Sequence, residues 1–223
     1  METRKLTEAE SLELITSMIR SSRRELAKSS YRPFLIWGYT TLVVTLVELA
    51  IHLFASPSIS PAFRLWIWWS IPAIGGLLMV LFRDRTPQTQ SPLDVHVGTV
   101  WTILTFTMVP ILTMIIIVSG SAGYLILPMI LTLMGAATMI TGVMSRLKVV
   151  SYGGAASIVG AVVICTIALW FKKTAEVTPA EELGALIECF LTAQMVIFAL
   201  SFLCTMILPG HYMKRILNQP DKQ

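Results

Sequence analysis

The residues best suited to chemistry lie within an apolar stretch near the start of the chain. Gly38, Thr41, Thr45, Glu48 and His52 are spaced three, four, three and four apart, which places them on one face of a helix. An acidic residue inside an apolar helix is costly in lipid, so it usually faces the interior of a bundle and pairs there. A carboxyl group one turn from a histidine has the chemistry to bind a proton or a cation.

A second carboxyl group, Glu188, is predicted to reach the same depth from the other end of the chain. Counting from Phe34, Glu48 lies ~21 Å and His52 ~27 Å along a helix. If the last apolar helix enters a ~30 Å slab from the outer side at Gly184, Glu188 lies ~24 Å above the inner boundary. These depths predict a polar cluster of Glu48, His52 and Glu188, here called the outer cluster, with the first and last apolar helices as neighbours. The alternative is that each group reaches the outer water separately.

Motifs for other chemistry do not occur in the sequence. HExxH, GxSxG, Walker A and GxGxxG patterns are all missing. The histidines His52, His96 and His211 are far apart in sequence, and the three cysteines form no CxxC pair. We therefore predict no catalytic residues, no metal site and no cofactor, and an enzyme is the least favoured class.

Composition identifies the elements that would position these residues. Of 223 residues, 55% are hydrophobic and 13% charged, whereas a soluble domain has nearer a quarter charged. Six apolar runs each approach the ~20 residues that a membrane-spanning helix needs. They cover about 34–54, 65–82, 97–118, 124–144, 149–171 and 184–208. The sequence predicts an all-α, polytopic membrane bundle of six transmembrane helices plus a cytoplasmic N-terminal amphipathic helix. The second run is the weakest, because it is short and begins beside Arg64.

The distribution of positive charge predicts the orientation. Fourteen lysines and arginines flank one side of these runs, whereas only Arg64, Lys172 and Lys173 lie on the other. The positive-inside rule then places both termini in the cytoplasm. This bias also accounts for the formal charge of +4 without a nucleic-acid partner.

The polar N-terminal segment 1–32 reads as a helix of its own. Thr7 and Glu10 form a capping box, and Pro33 is expected to break the helix before the first span. Five apolar residues recur on one face of this helix: Leu12, Ile15, Met18, Ile19 and Leu26. We name the first four, the candidates for docking a partner, the N-terminal apolar row. The row either lies on lipid headgroups or under the bundle, or docks a cytoplasmic partner or a second copy of the chain.

Small residues predict that the fourth and fifth spans form a close hairpin. The fourth span has small residues at four-residue spacing, such as Ala137, Thr141 and Ser145, and the fifth span has Gly153 and Ser157 at the same spacing. Small residues at this spacing let helix backbones approach closely in lipid. Packing within one chain is favoured over a homodimer face.

Three short motifs carry a resemblance to a known group of proteins. They are the segment from Glu10 to Ile19, the Leu35-Ile36-Trp37-Gly38 start of the first span, and Ile140-Thr141-Gly142 leading to Arg146-Leu147-Lys148. In these the chain resembles an uncharacterised bacterial family of six-helix integral membrane proteins. The resemblance implies a fold and the bacterial inner membrane, and it carries no activity.

These observations favour a domain plan and a function. The plan has a cytoplasmic amphipathic helix at 1–32, a transmembrane domain at 33–210 and a cytoplasmic tail at 211–223. The leading hypothesis is a non-enzymatic interaction or regulatory protein in the lipid bilayer that docks a partner through its N-terminal helix. The alternative is a small transporter or channel subunit with an outward-facing polar site.

Overall fold

The computed structural model describes residues 7–54, 61–82, 92–119 and 125–218, and it is all-helical there. Within these residues the chain forms seven α-helices and one π turn. In chain order they are α1 (Glu8–Phe54), α2 (Pro61–Leu81), α3 (Pro92–Ser119), α4 (Ile126–Met144), α5 (Lys148–Ala175), α6 (Ala180–Phe202), the π turn (Leu203–Ile207) and α7 (Leu208–Asn218).

Five helical segments in the described part of the chain are long and apolar enough to cross a membrane. They are Arg24–Phe54, Pro92–Ile111, Ile126–Met144, Lys148–Ala175 and Ala180–Asn218. Each overlaps one of the predicted spans. Helix α2, Pro61–Leu81, contains a further apolar segment, which is described over Trp66–Leu81.

Helix α1 is continuous through Pro33, so the predicted break at this proline is wrong. A proline inside a helix removes one backbone hydrogen bond and crowds the carbonyl four residues earlier. Here the packing on both sides of it overrides that preference. Leu26 and Ala27 before the proline and Phe34 after it are all buried in the same bundle. The N-terminal segment and the first span are therefore one helix of 47 residues.

The last span also continues beyond its predicted end. The π turn joins α6 to α7 without interruption, and Pro209 follows immediately at the second position of α7. A proline ring crowds the carbonyl four residues earlier, here that of Thr205, and a local π turn is one way for a helix to relieve such crowding. Residues 211–218, which the sequence analysis left as a tail, are thus helical.

Helices α4 and α5 form the predicted close hairpin. A Cβ atom added to Gly142 would collide with the backbone of Ser151, and one added to Gly135 would lie 2.8 Å from the Gly154 carbonyl oxygen. The connecting turn contains Arg146 at a φ of 53°. Gly153, however, faces the π turn and not α4. A Cβ atom added to it would lie 2.6 Å from the Cys204 carbonyl oxygen.

Helices α3, α6 and α7 and the π turn pack against this hairpin. Helix α1 contacts α2, α3, α6 and α7, and α5 contacts α6. Helix α3 lies at the periphery, where it contacts α4 and α1. Gly210 of α7 lies against Leu35 of α1, and α7 runs antiparallel to α1. The N-terminal end of α1 and the C-terminal end of α7 therefore lie at the same end of the bundle.

Candidate functional site

Helices α1 and α6 are antiparallel neighbours, as the outer cluster requires. At one level, a Cβ atom added to Gly38 would lie 2.9 Å from Met206 Cβ and from Ile207 Cγ1. At the other, His52 Nε2 lies 3.3 Å from the backbone carbonyl oxygen of Glu188. The two contacts fix the register of α1 against the α6–π turn segment.

Glu48 lies in the interior of the bundle, with only 2% of its surface exposed. Thr45 and Thr41, on the same face of α1, are buried as well. The Thr45 hydroxyl donates to the Thr41 carbonyl oxygen at 2.8 Å, so its lone pairs remain available to a neighbour. The helical spacing that predicted an inward-facing polar stripe is therefore matched by this burial.

The three members of the outer cluster occupy different environments. Glu48 is buried, His52 is half-buried and the side chain of Glu188 is exposed. The described contact between His52 and Glu188 uses the backbone carbonyl of Glu188. The structure thus brings the two helices together at the predicted level, and it turns the Glu188 carboxyl group outward.

Sequence reasoning missed one buried polar residue at the level of Glu48. Interpolating between the two contacts of α1 with α6 places Glu48 opposite about residue 193. Gln194 occurs at this level and is 2% exposed. A single glutamine in an apolar helix gives no periodic signal, which is why it was overlooked.

Hydroxyl groups continue the polar interior between α5 and α6. Thr205 Oγ1 donates to the Gly153 carbonyl oxygen at 3.1 Å and to the Ser201 carbonyl oxygen at 2.6 Å. Ser157 Oγ donates to the Leu131 carbonyl oxygen at 2.9 Å and so joins α5 to α4. The bonds from Thr205 to Gly153 and from Ser157 to Leu131 join separate helical segments and satisfy these two buried hydroxyl groups.

The capping box at the start of α1 is present as predicted. The Thr7 amide donates to Glu10 Oε2 at 2.8 Å, and the Glu10 amide donates to Thr7 Oγ1 at 3.3 Å. The backbone hydrogen bond from Thr7, helped by the Thr7 side chain, lowers the pKa of Glu10 below its ordinary value. The helix begins at Glu8 for this reason.

The N-terminal apolar row is exposed in the isolated chain. Leu12, Ile15 and Met18 have 66%, 53% and 56% of their surfaces accessible. The side chain of Ile19 lies outside the described residues. The row precedes Leu26, where α1 becomes fully buried, so these side chains lie beyond the packed part of the bundle.

Polar contacts also join helices at the end of the bundle nearest the N-terminal apolar row. Tyr39 Oη and His211 Nε2 are 2.7 Å apart, which connects α1 to α7. Ser29 Oγ donates to Asp94 Oδ1 at 2.7 Å, and Arg32 Nη1 donates to the Phe82 carbonyl oxygen at 3.3 Å. Among the described residues, no three histidine, cysteine or acidic side chains are grouped so as to hold a metal ion.

Comparison with known proteins gives no match: no protein-family model, no curated protein and no solved structure is significantly similar to this chain.

Proposed function

We propose that the protein is a six-span membrane protein that docks a cytoplasmic protein partner through the N-terminal apolar row. In this proposal the chain is a non-enzymatic interaction or regulatory protein of the bacterial inner membrane, with both termini in the cytoplasm. The observation that carries it is the exposure of Leu12, Ile15 and Met18 on a helix that continues directly into the first span.

Three features support the membrane arrangement. Five helical segments are long and apolar enough to cross a bilayer, and α2 is the sixth candidate. The N-terminal end of α1 and the C-terminal end of α7 lie at one end of the bundle, which agrees with an even number of membrane crossings. The fourteen-to-three distribution of lysine and arginine favours a cytoplasmic location for that end.

The length of α1 argues against the alternative that the row lies on lipid headgroups. Twenty residues back from Phe54, the ~30 Å hydrocarbon slab ends near Phe34. Met18 then lies ~24 Å and Leu12 ~33 Å beyond this boundary along the helix axis. The headgroup region adds only about 5–8 Å on each side. A continuous α1 therefore carries the row past the lipid headgroups. Exposed apolar side chains at that distance are typical of a surface that binds another protein.

The proposal is tested by photo-crosslinking in cells and by paired charge variants. A photoreactive residue at position 15 should yield one defined adduct with a cytoplasmic protein. The double variant Leu12→Glu/Ile15→Glu should abolish this partner's co-purification and leave membrane insertion unchanged. The control is Ser17→Glu/Ser21→Glu, which adds the same charge to exposed polar positions of the same helix and should retain the partner. An adduct with lipid, or with a second copy of the chain alone, would contradict the proposal.

The second candidate function is a small transporter or channel subunit. It is favoured by one specific observation, the burial of the Glu48 carboxyl group among polar residues of a membrane-length helix. Solute flux that persists in a chain lacking residues 1–30 would favour it over docking, because the polar interior lies outside the deleted segment.

A further inference from the structure

We propose that the exposed side of the α5–α7 pair binds the headgroup of an anionic phospholipid, with Lys148 and Arg215 at its phosphate and Tyr152 and Tyr212 beside its glycerol. We name these four residues the headgroup site. The site is separate from the N-terminal apolar row. It requires that the bundle spans a membrane, whichever of its ends faces the cytoplasm.

The first support is the way in which α5 packs against the last helical segments. A Cβ atom added to Gly160 would collide with Ser201 Oγ, and one added to Gly153 would lie 3.0 Å from Pro209 Cγ. Later residues of α5 thus meet earlier residues of the chain from α6 to α7. Helices α5 and α7 are therefore antiparallel, and the start of α5 lies beside the end of α7.

The second support is the position of the other helices around this pair. Each residue of a helix is turned ~100° from the one before it. On α5, Gly154 faces α4 and follows Gly153, which faces the π turn and α7. On α7, Gly210 faces α1 and follows Pro209, which faces α5. Because the two helices are antiparallel, this shared order places α4 and α1 on the same side of the pair.

The opposite side of the pair carries the headgroup site. On α5, Tyr152 is turned ~100° and Lys148 ~140° from the direction of α7, away from α4. On α7, Tyr212 is turned ~60° and Arg215 ~120° from the direction of α5, away from α1. All four side chains are exposed, Tyr152 by 69% and Tyr212 by 39%. In the described part of the chain, no hydrogen bond or ion pair holds any of them.

The level of the lipid boundary on α5 and α7 follows from helix contacts. The hydrocarbon slab ends near Phe34 of α1, and the next residue, Leu35, contacts Gly210 of α7. The boundary therefore crosses α7 near His211. The contact between α5 and α7 carries the same level to α5 near Ser151.

This boundary places the four residues in the layers that suit them. Tyr152 and Tyr212 each lie ~1.5 Å from it along their helices, where tyrosine is typical because its ring is apolar and its hydroxyl polar. Lys148 lies ~4.5 Å and Arg215 ~6 Å beyond the boundary, within a headgroup layer of about 5–8 Å. Phospholipid phosphates occupy this layer, so both cations lie at their depth.

The third support is the charge of this surface. Neither α5 nor α7 contains an aspartate or a glutamate. At the same end of the bundle, Glu25 lies on α1, and Asp94 on α3 accepts a hydrogen bond from Ser29. Lys148 and Arg215 therefore favour a headgroup with net negative charge. The guanidinium group can bind a phosphate through two N–H groups, and the ammonium group acts as a point charge.

The test is lipid binding by the full-length protein in nonionic detergent, measured by native mass spectrometry. Wild type should bind phosphatidylglycerol about tenfold more tightly than phosphatidylethanolamine. Lys148→Gln/Arg215→Gln should weaken phosphatidylglycerol binding about tenfold or more, since each basic residue near an anionic surface accounts for about a fivefold change. The control Lys28→Gln/Lys214→Gln removes the same charge from exposed residues at this end of the bundle and should bind as wild type does.

Further variants separate lipid binding from other effects. Lys148→Arg/Arg215→Lys keeps both charges and should retain binding, which excludes a general loss of structure at these positions. Leu12→Glu/Ile15→Glu should bind phosphatidylglycerol normally, so failure of partner docking and failure of the headgroup site are distinguishable. Equal affinity of the wild type for the two lipids, or equal losses in the two glutamine double variants, would overturn the proposal.

A crosslinking experiment tests the location and the source of the phosphate. Phosphatidylglycerol with a diazirine at the start of an acyl chain should label the peptides that contain Tyr152 and Tyr212. Labelling spread evenly over the exposed faces of all helices would contradict the site. Excess inorganic phosphate should not displace the lipid. Displacement would identify a soluble phosphate compound as the ligand and overturn the assignment to a phospholipid.

Discussion

The carbonyl oxygen of Gly135 on α4 lies 2.5 Å from the point that a Cβ atom on Gly154 of α5 would occupy. Heavy atoms cannot approach this closely, so any side chain at position 154 must push the two helices apart. The backbone of Met139 is equally near to the same point. The contact between α4 and α5 therefore depends on glycine at this position.

Gly154→Ala should destabilise the protein by about 1–3 kcal/mol, the usual range for an overpacked interior. The measurement is unfolding of the purified protein in mixed micelles with increasing denaturing detergent. The control is Gly184→Ala, since a Cβ atom there meets nothing within 4 Å and alanine favours a helix by about 0.5–1 kcal/mol. Equal effects of the two substitutions would contradict this account of the α4–α5 contact.

Thr205 connects the π turn to α5 through its hydroxyl group. Thr205→Val keeps the shape of the side chain and removes both hydrogen bonds, so it should cost about 0.6–1.7 kcal/mol in a membrane protein. The control is Thr166→Val, because the exposed Thr166 bonds to the Val162 carbonyl oxygen of its own helix. The same unfolding assay should detect a loss for Thr205 alone, and a stable Thr205→Val protein would argue that this bond does not hold the turn in place.

The capping box makes the first turn of α1 sensitive to acid. Because the pKa of folded Glu10 is lowered, its contribution to helix stability is fully present above the ordinary pKa of about 4.3. It is lost as the pH falls through the lowered value. Protection of the first amides of α1 against hydrogen exchange, taken relative to the intrinsic exchange rate at each pH, should fall in that acidic window. In Glu10→Gln this protection should no longer follow the titration, and an unchanged acid response in that variant would exclude Glu10 as its source.

Local patterns in the sequence predicted the all-helical fold and several local features. The capping spacing of Thr7 and Glu10 fixed the start of α1, and small residues predicted the α4–α5 hairpin. The stripe containing Glu48 was predicted to face the bundle interior, where Glu48, Thr45 and Thr41 are buried. Each of these depends on residues close together in sequence or on one periodic face.

The features that escaped prediction depend on packing between distant segments. Pro33 suggested a break, but α1 is helical through this residue and has buried neighbours on both sides of it. Gln194 and the π turn before Pro209 have no periodic pattern of their own. Whether Glu188 points inward could not be read from its depth, because depth along a helix does not define the direction of a side chain.

The last prediction concerns the number of membrane crossings, which depends on α2. The helix runs from Pro61 to Leu81, 21 residues or ~31 Å, which is enough to cross a ~30 Å slab. Arg64 lies near its start in the sequence, and an arginine at the end of a span can reach the interface by snorkelling. Enzyme-reporter fusions at Pro57 and Thr178 should therefore report the outside, and fusions at Thr89 and Gln219 the inside. If α2 does not cross, Pro57 and Thr89 will report the same side, and the two ends of the chain will then report opposite sides. That outcome would contradict the shared end of α1 and α7 as well as the charge distribution, so this set of fusions tests the whole arrangement at once.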